Sequence, residues 1–448
     1  MRELEHVRIE VEALEIILLG TLGVDKHGRT IVRGLVHGCL AEHGDELMDV
    51  MTLTGVSENY EWICLEKLIW RNLRIPNRTM APPSFEIQAL SSYYGAFDPR
   101  KRKIRVIEAE IKSKIPICKD RITKTRVEKE SETWITENPI APESIALFDT
   151  EILTVTLDRR GTFAHTVTYR EVISLYYGEA VSHLVADKCL DSVFELLSII
   201  TQGNILPQTR DYIEHSTDTF QIAHRQERVK QTEPQDPSIW LVQYSDVIDF
   251  LKSHLERWCG AVTESDRSYL VRVFISASEQ KFIESKFLSF CQVFEGLNTL
   301  RTDSLTSTYE KLPNNLCELD KYARKLGYNS VVRKKIKLAV QKAALPSLEQ
   351  RISRLYSELG WIAHDLTGGR KDRFRNVAEM RNRLAHGSTA EVIRSDEDFE
   401  NLLECLAIMR AAALAEILSI AGVELGNMDN FLCMDKDVRQ IIHKRFNN

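Results

Sequence analysis

The sequence lacks the cysteine spacings that mark redox and zinc motifs. Its nine cysteines include no CxxC pair, and their number is odd. Cys39 lies between His37 and His43, but no further ligand nearby completes a metal set, so a small buried thiol is the favoured interpretation. With no signal-like segment at the N-terminus, we expect reduced thiols in a cytoplasmic protein and no bound metal.

The sequence also lacks long apolar runs and nucleotide-binding motifs. The run Ile16 to Leu19 is far too short to cross a membrane, so we expect no membrane-embedded segment. The stretch Gly20-Thr21-Leu22-Gly23 has neither the glycines nor the lysine of a phosphate loop, and no cofactor is predicted. No paired carboxylates or histidine cluster stand at metal-ligand spacing, which makes a metal hydrolase the weakest of the enzyme hypotheses.

What is present is the composition of an ordinary globular protein. Hydrophobic residues make up 43% and charged residues 28% of the 448 residues, with few prolines and glycines. A chain of this length is too long for one core, so two or three domains are expected. The net charge of -6 does not favour a protein whose whole surface binds nucleic acid, although it can conceal a local basic patch.

The first half of the chain alternates between apolar and polar residues. Val7, Ile9 and Val11 alternate with charged neighbours, and the same period of two recurs from 107 to 117 and from 153 to 157. This pattern is typical of half-buried antiparallel strands. A turn is predicted at 158–161. We expect a β-rich sandwich or jelly-roll-like domain over residues 1–224.

A polar, proline-containing segment marks the domain boundary. We assign residues 225–240 as a linker, because this stretch is poor in apolar residues and includes Pro234 and Pro237. After it the apolar period becomes helical. Residues 241–448 are therefore predicted to be an all-helical bundle, and the fold class is a multidomain α+β protein. Its last long helix carries a core stripe of Phe399, Leu402, Leu406, Met409, Ala413, Ile417 and Ile420.

One segment near the C-terminus combines residues suited to phosphodiester chemistry. The pattern of residues 372–387 predicts a helix that carries Arg381 and Asn382 and ends at His386, followed by the helix-stopping Gly387. Histidine titrates near neutral pH and can move a proton of the RNA 2′-hydroxyl or leaving group. Arginine stays charged and can stabilise the phosphorane. Together they suit RNA cleavage without a metal.

The spacing of these two residues poses a geometric problem. On a regular helix, residues five apart point about 140° away from each other. Either the helix breaks between Arg381 and His386, or a second copy of the chain supplies the partner residue across a two-fold interface. The same spacing also occurs at Arg160/His165 and Arg210/His215. There, arginines in a turn and in a polar loop suggest coincidence.

With its asparagine, small residue and glycine, the C-terminal segment resembles the catalytic motif of HEPN-domain ribonucleases, which is Arg, a polar residue (often Asn), further residues and then His. The helical stretch from 266 to 301, with Phe294-Glu295-Gly296-Leu297, is similar to the HEPN module of the ApeA family of anti-phage defence proteins. That family joins a β-rich N-terminal domain to a C-terminal HEPN module.

The resemblance implies an endoribonuclease of an abortive-infection system. His386 would be the general acid/base, Arg381 the cation at the transition state and Asn382 an orienting hydrogen-bonding group. The products would carry 2′,3′-cyclic phosphate and 5′-hydroxyl ends, and a homodimer of the helical domains would form a composite site. Transfer RNA is the substrate expected at family level. The N-terminal domain would restrain the nuclease or sense a phage-derived trigger.

A local basic excess surrounds the motif. Residues 330–387 contain 13 lysines and arginines against five acidic residues, an excess of eight positive charges in a chain of negative net charge. This composition favours RNA contact over a merely solvated helix face. The RNA-binding residues predicted from it are Arg370, Lys371, Arg373, Arg375 and Arg383.

The main alternative is a protein of another class. In it, Arg381 would make ordinary contacts at a helix end and His386 would only cap the helix. The helical domain would then be a non-catalytic dimerisation or RNA-binding module, and the β domain a receptor for a ligand or a protein. Substitution of Arg381 or His386 separates the two hypotheses, because only a nuclease has cleavage activity to lose.

Overall fold

The fold was obtained as a computed structural model. It describes residues 5–11, 16–24, 30–37, 50–57, 61–74, 83–111, 117, 143–163, 167–207, 209–215, 220–227, 237, 240–262, 266–303, 312–336, 346–370, 372–386 and 393–446. The chain forms two compact units. The first comprises residues 1–198, 203–234 and 244–256, and the second comprises residues 199–202, 235–243 and 257–448.

The first unit is built mainly of strands. They are β1 Glu5–Val11, β2 Ile16–Val24, β3 Thr30–His37, β4 Thr52–Ser57, β5 Trp62–Arg74, β6 Ser84–Gly95, β7 Lys103–Ile111, β8 Glu143–Asp149, β9 Leu153–Phe163, β10 Val167–Ser182, β11 Thr209–His215 and β12 Phe220–Glu227. Helix α1, His183–Ile200, follows β10 directly. The β-rich N-terminal part expected from the alternation is therefore confirmed.

In the part of the chain that the structure describes, the twelve strands belong to one antiparallel sheet. Their order is β3-β2-β1-β4-β5-β6-β12-β11-β7-β10-β9-β8, and an additional pairing of β3 with β6 closes the first six strands on themselves. The twelve-residue β6 makes this possible, because one of its edges pairs first with β3 and then with β12. The predicted β-rich N-terminal domain is thus built from one continuous sheet whose strand order the sequence did not predict, since alternation encodes burial but not strand order.

Burial follows the predicted alternation. In β1, Val7, Ile9 and Val11 are 3%, 0% and 7% exposed, and they join the apolar core of the closed strands. In β7, Ile107 and Ala109 are likewise buried. Sequence alternation therefore identified the core face of β1 correctly, whereas in β7 the intervening Glu108, expected to face solvent, is buried as well.

Arg160 and Arg210, which we predicted to lie in a turn and a loop, lie in strands β9 and β11. The predicted turn at 158–161 is wrong, because β9 continues to Phe163. Arg160 donates hydrogen bonds of 2.8 and 2.6 Å to the Glu108 carboxylate across the sheet. This ion pair gives the Arg160 charge a partner within the sheet, so a polar segment can form a strand there. Composition alone could not indicate the pairing.

The predicted loop around Arg210 is also wrong. Arg210 lies in β11, is 5% exposed, and forms ion pairs of 2.8 Å with Asp187 and 2.7 Å with Asp191 on α1. Asp187 also accepts hydrogen bonds from Arg225 at 2.6 Å and from Tyr212 at 2.7 Å. This ion network stabilises the packing of α1 on the sheet. Arg225, Gln226 and Glu227, the first residues of the predicted linker, belong to β12.

The second unit contains most of the helices. The helices of the C-terminal half are α2 Val247–Val262, α3 Asp266–Ser278, α4 Ile283–Asp303, α5 Leu312–Lys325, α6 over 330–336, α7 Leu348–Glu358, α8 Trp361–Thr367, α9 Asp372–His386, α10 Asp396–Ile420, α11 Asp429–Leu432 and α12 Lys436–Phe446. The first ten residues of α2 belong to the first unit. The predicted helical C-terminal part is confirmed.

Helix α10 is the centre of this unit. It packs against α4, α12 and α9, and every residue from Cys405 to Leu418 is buried. The predicted core residues Leu402, Leu406, Met409, Ala413 and Ile417 are among the buried ones, whereas Phe399 is 40% exposed. A helix enclosed by neighbours is buried around its circumference, so the core is wider than the predicted stripe.

The buried side of α10 includes a charge. Arg410 is 1% exposed, and its guanidinium lies 5.3 and 5.2 Å from the ring centroids of Phe274 and Phe290. Its Nε donates a 2.6 Å hydrogen bond to Asp435, which is fully buried. This pairing satisfies the buried charge and fixes the segment that leads into α12.

Among the described residues, no helix is both long enough and apolar enough to span a membrane. The cysteines whose side chains the structure describes are free thiols; they are Cys64, Cys189, Cys259, Cys291, Cys405 and Cys433.

Candidate active site

Helix α9 holds the predicted catalytic residues. Its buried residues Phe374, Val377, Met380 and Leu384 recur at intervals of three and four, which fixes one face of the helix against α10, α4 and α7. Asp372 stands in the first turn and His386 in the last, a distribution that complements the helix dipole. The helix is continuous from Asp372 to His386.

Arg381 is held by a carboxylate on a neighbouring helix. Its Nε lies 3.2 Å from Oε1 of Glu295, and its Nη2 donates a 3.4 Å hydrogen bond to Oε2 of the same residue. Its Nη1 donates to Oδ1 of Asn382 at 3.3 Å. The side chain is 34% exposed. Two anchored edges orient the planar guanidinium while part of it faces solvent.

Glu295 is the residue that sequence reasoning did not assign to the site. It lies on α4 between the buried Phe294 and the buried Leu297, and Arg351 of α7 approaches its Oε2 to 3.8 Å. Two arginines from different helices therefore converge on one carboxylate that is 26% exposed. An acidic residue in an apolar stretch of a buried helix was the available signal, because such a charge requires a partner.

A neighbouring thiol is unsuited to nucleophilic chemistry. Cys291, one turn before Glu295 on α4, is buried. Burial, reinforced by the negative charge of Glu295, raises the pKa of the Cys291 thiol well above its ordinary value. A thiol in this environment stays protonated near neutral pH.

His386 is exposed at the C-terminal end of α9. Since the helix does not break between Arg381 and His386, the two side chains leave it about 140° apart. Of the two arrangements that the spacing allowed, a break within the helix is therefore ruled out. One α9 helix does not direct both groups at the same phosphate.

Three of the five predicted RNA-binding residues are paired with acidic neighbours, and Arg373 and Arg370 are two of them. Arg373 forms an ion pair with Glu404 of α10, and their side chains are 19% and 24% exposed. Arg370, at the surface before α9, lies 2.6 Å from Asp372. The hydrogen bond from Arg370 lowers the pKa of the Asp372 carboxyl below its ordinary value. Arg373 is the less accessible of the two to a phosphate.

The remaining RNA-binding candidates differ in their surroundings. Arg375 forms an exposed pair with Glu379 one turn further along α9, at 2.9 Å, and exposed pairs of this kind exchange readily with solvent or ligand. Arg383 is exposed near the end of α9. Lys371 and the predicted helix stop Gly387 lie outside the described residues.

No group of three or more histidine, cysteine or acidic side chains suited to hold a metal ion is found within the parts of the chain that the structure describes. The groups at α9 are a fixed cation (Arg381), its supporting acceptors (Glu295 and Asn382) and an exposed imidazole (His386).

The helices around this site identify the class of domain. The family model of Apea-like HEPN domains matches residues 288–425, a segment that includes Glu295, Arg351, Arg381 and His386. The chain thus contains a HEPN domain of the ApeA type, as the sequence resemblance predicted. HEPN domains are generally ribonucleases, which suggests a nuclease with a role in defence. Neither the curated proteins nor the solved structures give a significant match.

Proposed function

We propose that the protein is a metal-independent endoribonuclease that cleaves RNA by attack of the 2′-hydroxyl on the adjacent phosphate. The observation that carries the proposal is the Arg381–Glu295 pair inside a HEPN domain of the ApeA type, on a helix that ends at an exposed histidine. A positioned, solvent-accessible cation and an exposed imidazole provide the two functions that this reaction requires, once a second copy of the chain brings them together.

Each residue has a distinct part in the proposed reaction. His386 takes the proton of the 2′-hydroxyl or delivers one to the departing 5′-oxygen, as its exposure allows. Arg381 stabilises the negative charge of the phosphorane, and Asn382 orients the guanidinium through its 3.3 Å contact. Attack by the 2′-oxygen breaks the bond to the 5′-oxygen, so the products carry 2′,3′-cyclic phosphate and 5′-hydroxyl ends.

The proposed site is composite. Because one continuous α9 directs Arg381 and His386 to different sides, we place Arg381 of one copy opposite His386 of another in a homodimer formed through the helical domains. Arg370, Lys371, Arg373, Arg375 and Arg383 would contact the phosphates of the RNA. Of these, Arg370, Arg375 and Arg383 are exposed, which supports their part in the proposal.

The biological setting follows from the same family. We propose an anti-phage abortive-infection role in the cytoplasm, with transfer RNA as the substrate. The β-rich N-terminal part would restrain the nuclease until it senses a phage-derived trigger. Restraint has a physical rationale, since indiscriminate RNA cleavage would damage the cell that produces the enzyme.

One observation favours a second function. The 3.2 Å pairing of Arg381 with Glu295 is also what a structural arginine would form. In that case the helical part would be a non-catalytic HEPN-like dimerisation or RNA-binding module, and the β-rich part would be a receptor. This alternative predicts RNA affinity or self-association without cleavage.

The deciding experiment is RNA cleavage by the purified full-length protein in excess chelator, with and without an extract of infected cells to supply the trigger, and with the product ends identified. Wild type is compared with His386→Ala and with His364→Ala, a control that removes another exposed histidine, 77% accessible and located on α8. We expect cyclic phosphate ends from wild type and His364→Ala and none from His386→Ala. Equal cleavage by all three would refute the role of His386.

A further inference from the structure

A second basic segment lies outside α9 and has not been used by the proposed site. Residues 321–335 contain six lysines and arginines and no acidic residue; the basic residues are Lys321, Arg324, Lys325, Arg333, Lys334 and Lys335. Six positive charges in fifteen residues stand against a net charge of -6 for the whole chain. The segment runs from the end of α5 through a tight turn into α6. We name it the basic hairpin.

The turn of the basic hairpin has a defined geometry. Gly327 adopts a φ of 79°, and the amide of Tyr328 donates to the carbonyl of Ala323 at 3.2 Å, while the amide of Gly327 donates to the carbonyl of Arg324 at 3.0 Å. These two bonds form a Schellman motif that ends α5. Asn329 then caps α6, because its side chain accepts a 2.9 Å hydrogen bond from the amide of Val332.

An ion pair joins the two helices of the hairpin. Nη1 of Arg333 on α6 lies 3.2 and 3.1 Å from the two carboxylate oxygens of Asp320 on α5. Asp320 also lies 3.7 Å from Arg324. The basic residues are therefore presented by a structured element, with Asp320 as the acceptor that connects its arms.

Four large apolar residues of the basic hairpin are exposed. Tyr322 is 62%, Leu326 56%, Tyr328 48% and Val331 62% exposed. Tyr322 lies in the last turn of α5, and Leu326 follows the helix directly, four residues further on. The exposed Lys321 and Lys325 lie next to them in sequence. Large apolar side chains grouped on a surface usually mark a site of interaction.

We infer that the basic hairpin is a docking element for single-stranded RNA. Exposed tyrosine rings provide surfaces on which unpaired bases stack, while lysines contact the phosphates between them. This combination of aromatic and basic side chains is suited to loops and unpaired ends rather than to a duplex, whose bases are already stacked. The inference rests on the proposed RNA-directed function and names the part of the substrate that the protein holds away from the scissile phosphate.

The charge of the segment favours RNA over a protein partner. The cores of protein interfaces are depleted in lysine, whereas four of the six basic residues here are lysines. A polyanion satisfies all of these charges along one chain, and release of its counterions supports binding. An acidic protein partner would need matching carboxylates around both tyrosines.

The test uses fluorescence anisotropy to measure binding of the full-length protein to a fluorescein-labelled 2′-O-methyl oligouridine. This RNA analogue lacks the attacking hydroxyl and cannot be cleaved. The variants are Tyr322→Ala/Tyr328→Ala and Lys321→Gln/Lys325→Gln. The matched control is Tyr269→Ala on α3, because Tyr269 is 61% exposed but lies outside the basic hairpin. A duplex RNA of equal length is measured beside the single strand.

We expect the tyrosine variant to lose about tenfold or more in affinity for the single strand, with little change for the duplex. The lysine variant should lower the salt dependence, by roughly 0.7 in the logarithmic slope for each phosphate that the protein no longer neutralises. Affinity within twofold of wild type for both variants would overturn the inference, as would an equal loss in Tyr269→Ala. Binding that needs the basic hairpin, without RNA cleavage even when infected-cell extract is added, would refute the proposed nuclease but support the docking element.

Discussion

Arg381 derives its orientation from a residue on another helix. The carboxylate of Glu295 faces Nε and Nη2 of Arg381 at 3.2 and 3.4 Å, which leaves its Nη1 edge toward Asn382. A guanidinium held in this way loses less conformational entropy when it binds a phosphate. Glu295 is therefore a positioning residue in the proposed reaction.

Glu295→Gln is expected to lower kcat for RNA cleavage by roughly a hundredfold or less while KM changes little, because the displaced cation no longer matches the phosphorane. Steady-state kinetics on a defined RNA measure both constants. The control is Glu358→Gln, which removes the 3.8 Å partner of Arg354 on α7. A rise in KM at constant kcat would instead indicate that Glu295 acts only in RNA binding.

The charge of Arg410, unlike that of Arg381, has a structural role: it pairs with a buried carboxylate. Its removal would leave the fully buried Asp435 without its 2.6 Å partner. We expect Arg410→Leu to lower the free energy of unfolding by about 3–5 kcal/mol. Arg354→Leu, at a 73% exposed side chain, should change it by about 0.5 kcal/mol or less. Urea unfolding of both variants tests this, and equal midpoints would contradict it.

At the scale of elements, α12 is attached through acidic groups at its start. Asp437 lies 2.7 Å from Lys286 of α4 and 3.5 Å from Arg410. Burial alone would raise the pKa of the Asp437 carboxyl, but the positive charges of Arg410 and Lys286 outweigh burial and lower it. The charged form is therefore the one that stabilises the folded state.

The lowered pKa of Asp437 determines how its contribution to stability depends on pH. A lowered pKa means that the contribution of Asp437 to stability is complete above the ordinary aspartate pKa of about 3.9 and is lost as the pH falls through the lower folded value. Asp437→Asn should thus be less stable than wild type near pH 7, and the difference should shrink below about pH 4. Denaturant unfolding across this pH range measures the difference; a constant one would contradict the assignment.

The basic hairpin depends on its glycine. Gly327 has a φ of 79° and open space where a Cβ atom would stand, so Gly327→Ala should cost about 1–2 kcal/mol from backbone strain alone. Hydrogen exchange of residues 321–335 should accelerate. Gly260→Ala, at a helical glycine with equally open space in α2, should be neutral or stabilising by up to about 1 kcal/mol. Slow exchange in Gly327→Ala would show that the turn tolerates the substitution.

At the scale of the whole molecule, the composite site can be tested by mixing two inactive variants. If Arg381 and His386 act from different copies, a dimer of one Arg381→Ala chain and one His386→Ala chain retains one intact site. After random exchange, the mixture should recover about a quarter of wild-type cleavage, since half of the dimers are mixed and each has one of two sites.

The same mixture gives no recovery if both residues act within one chain, because every site then lacks one of them. Mixing Arg381→Ala with itself under the same exchange conditions controls for dilution and refolding. The experiment therefore separates the composite site from the nuclease activity, which the wild type reports independently.

Much of the fold was determined by local sequence. The period of two in β1 and β7 and the helical period after residue 240 identified the two kinds of architecture, and the Arg381–His386 segment with its helical context identified the HEPN domain. These features depend on neighbours within one or two turns, which is why periodicity reports them.

The tertiary structure decided which strands pair with each other and which charged residues form ion pairs. The closure of β3 on β6, the pairing of Arg160 with Glu108 and the burial of Arg210 against Asp187 join residues distant in sequence. Glu295 and Arg381 are likewise separated by 86 positions. A charge can be satisfied by any opposite charge that the fold brings near it, so only the folded chain specified which partners these residues found.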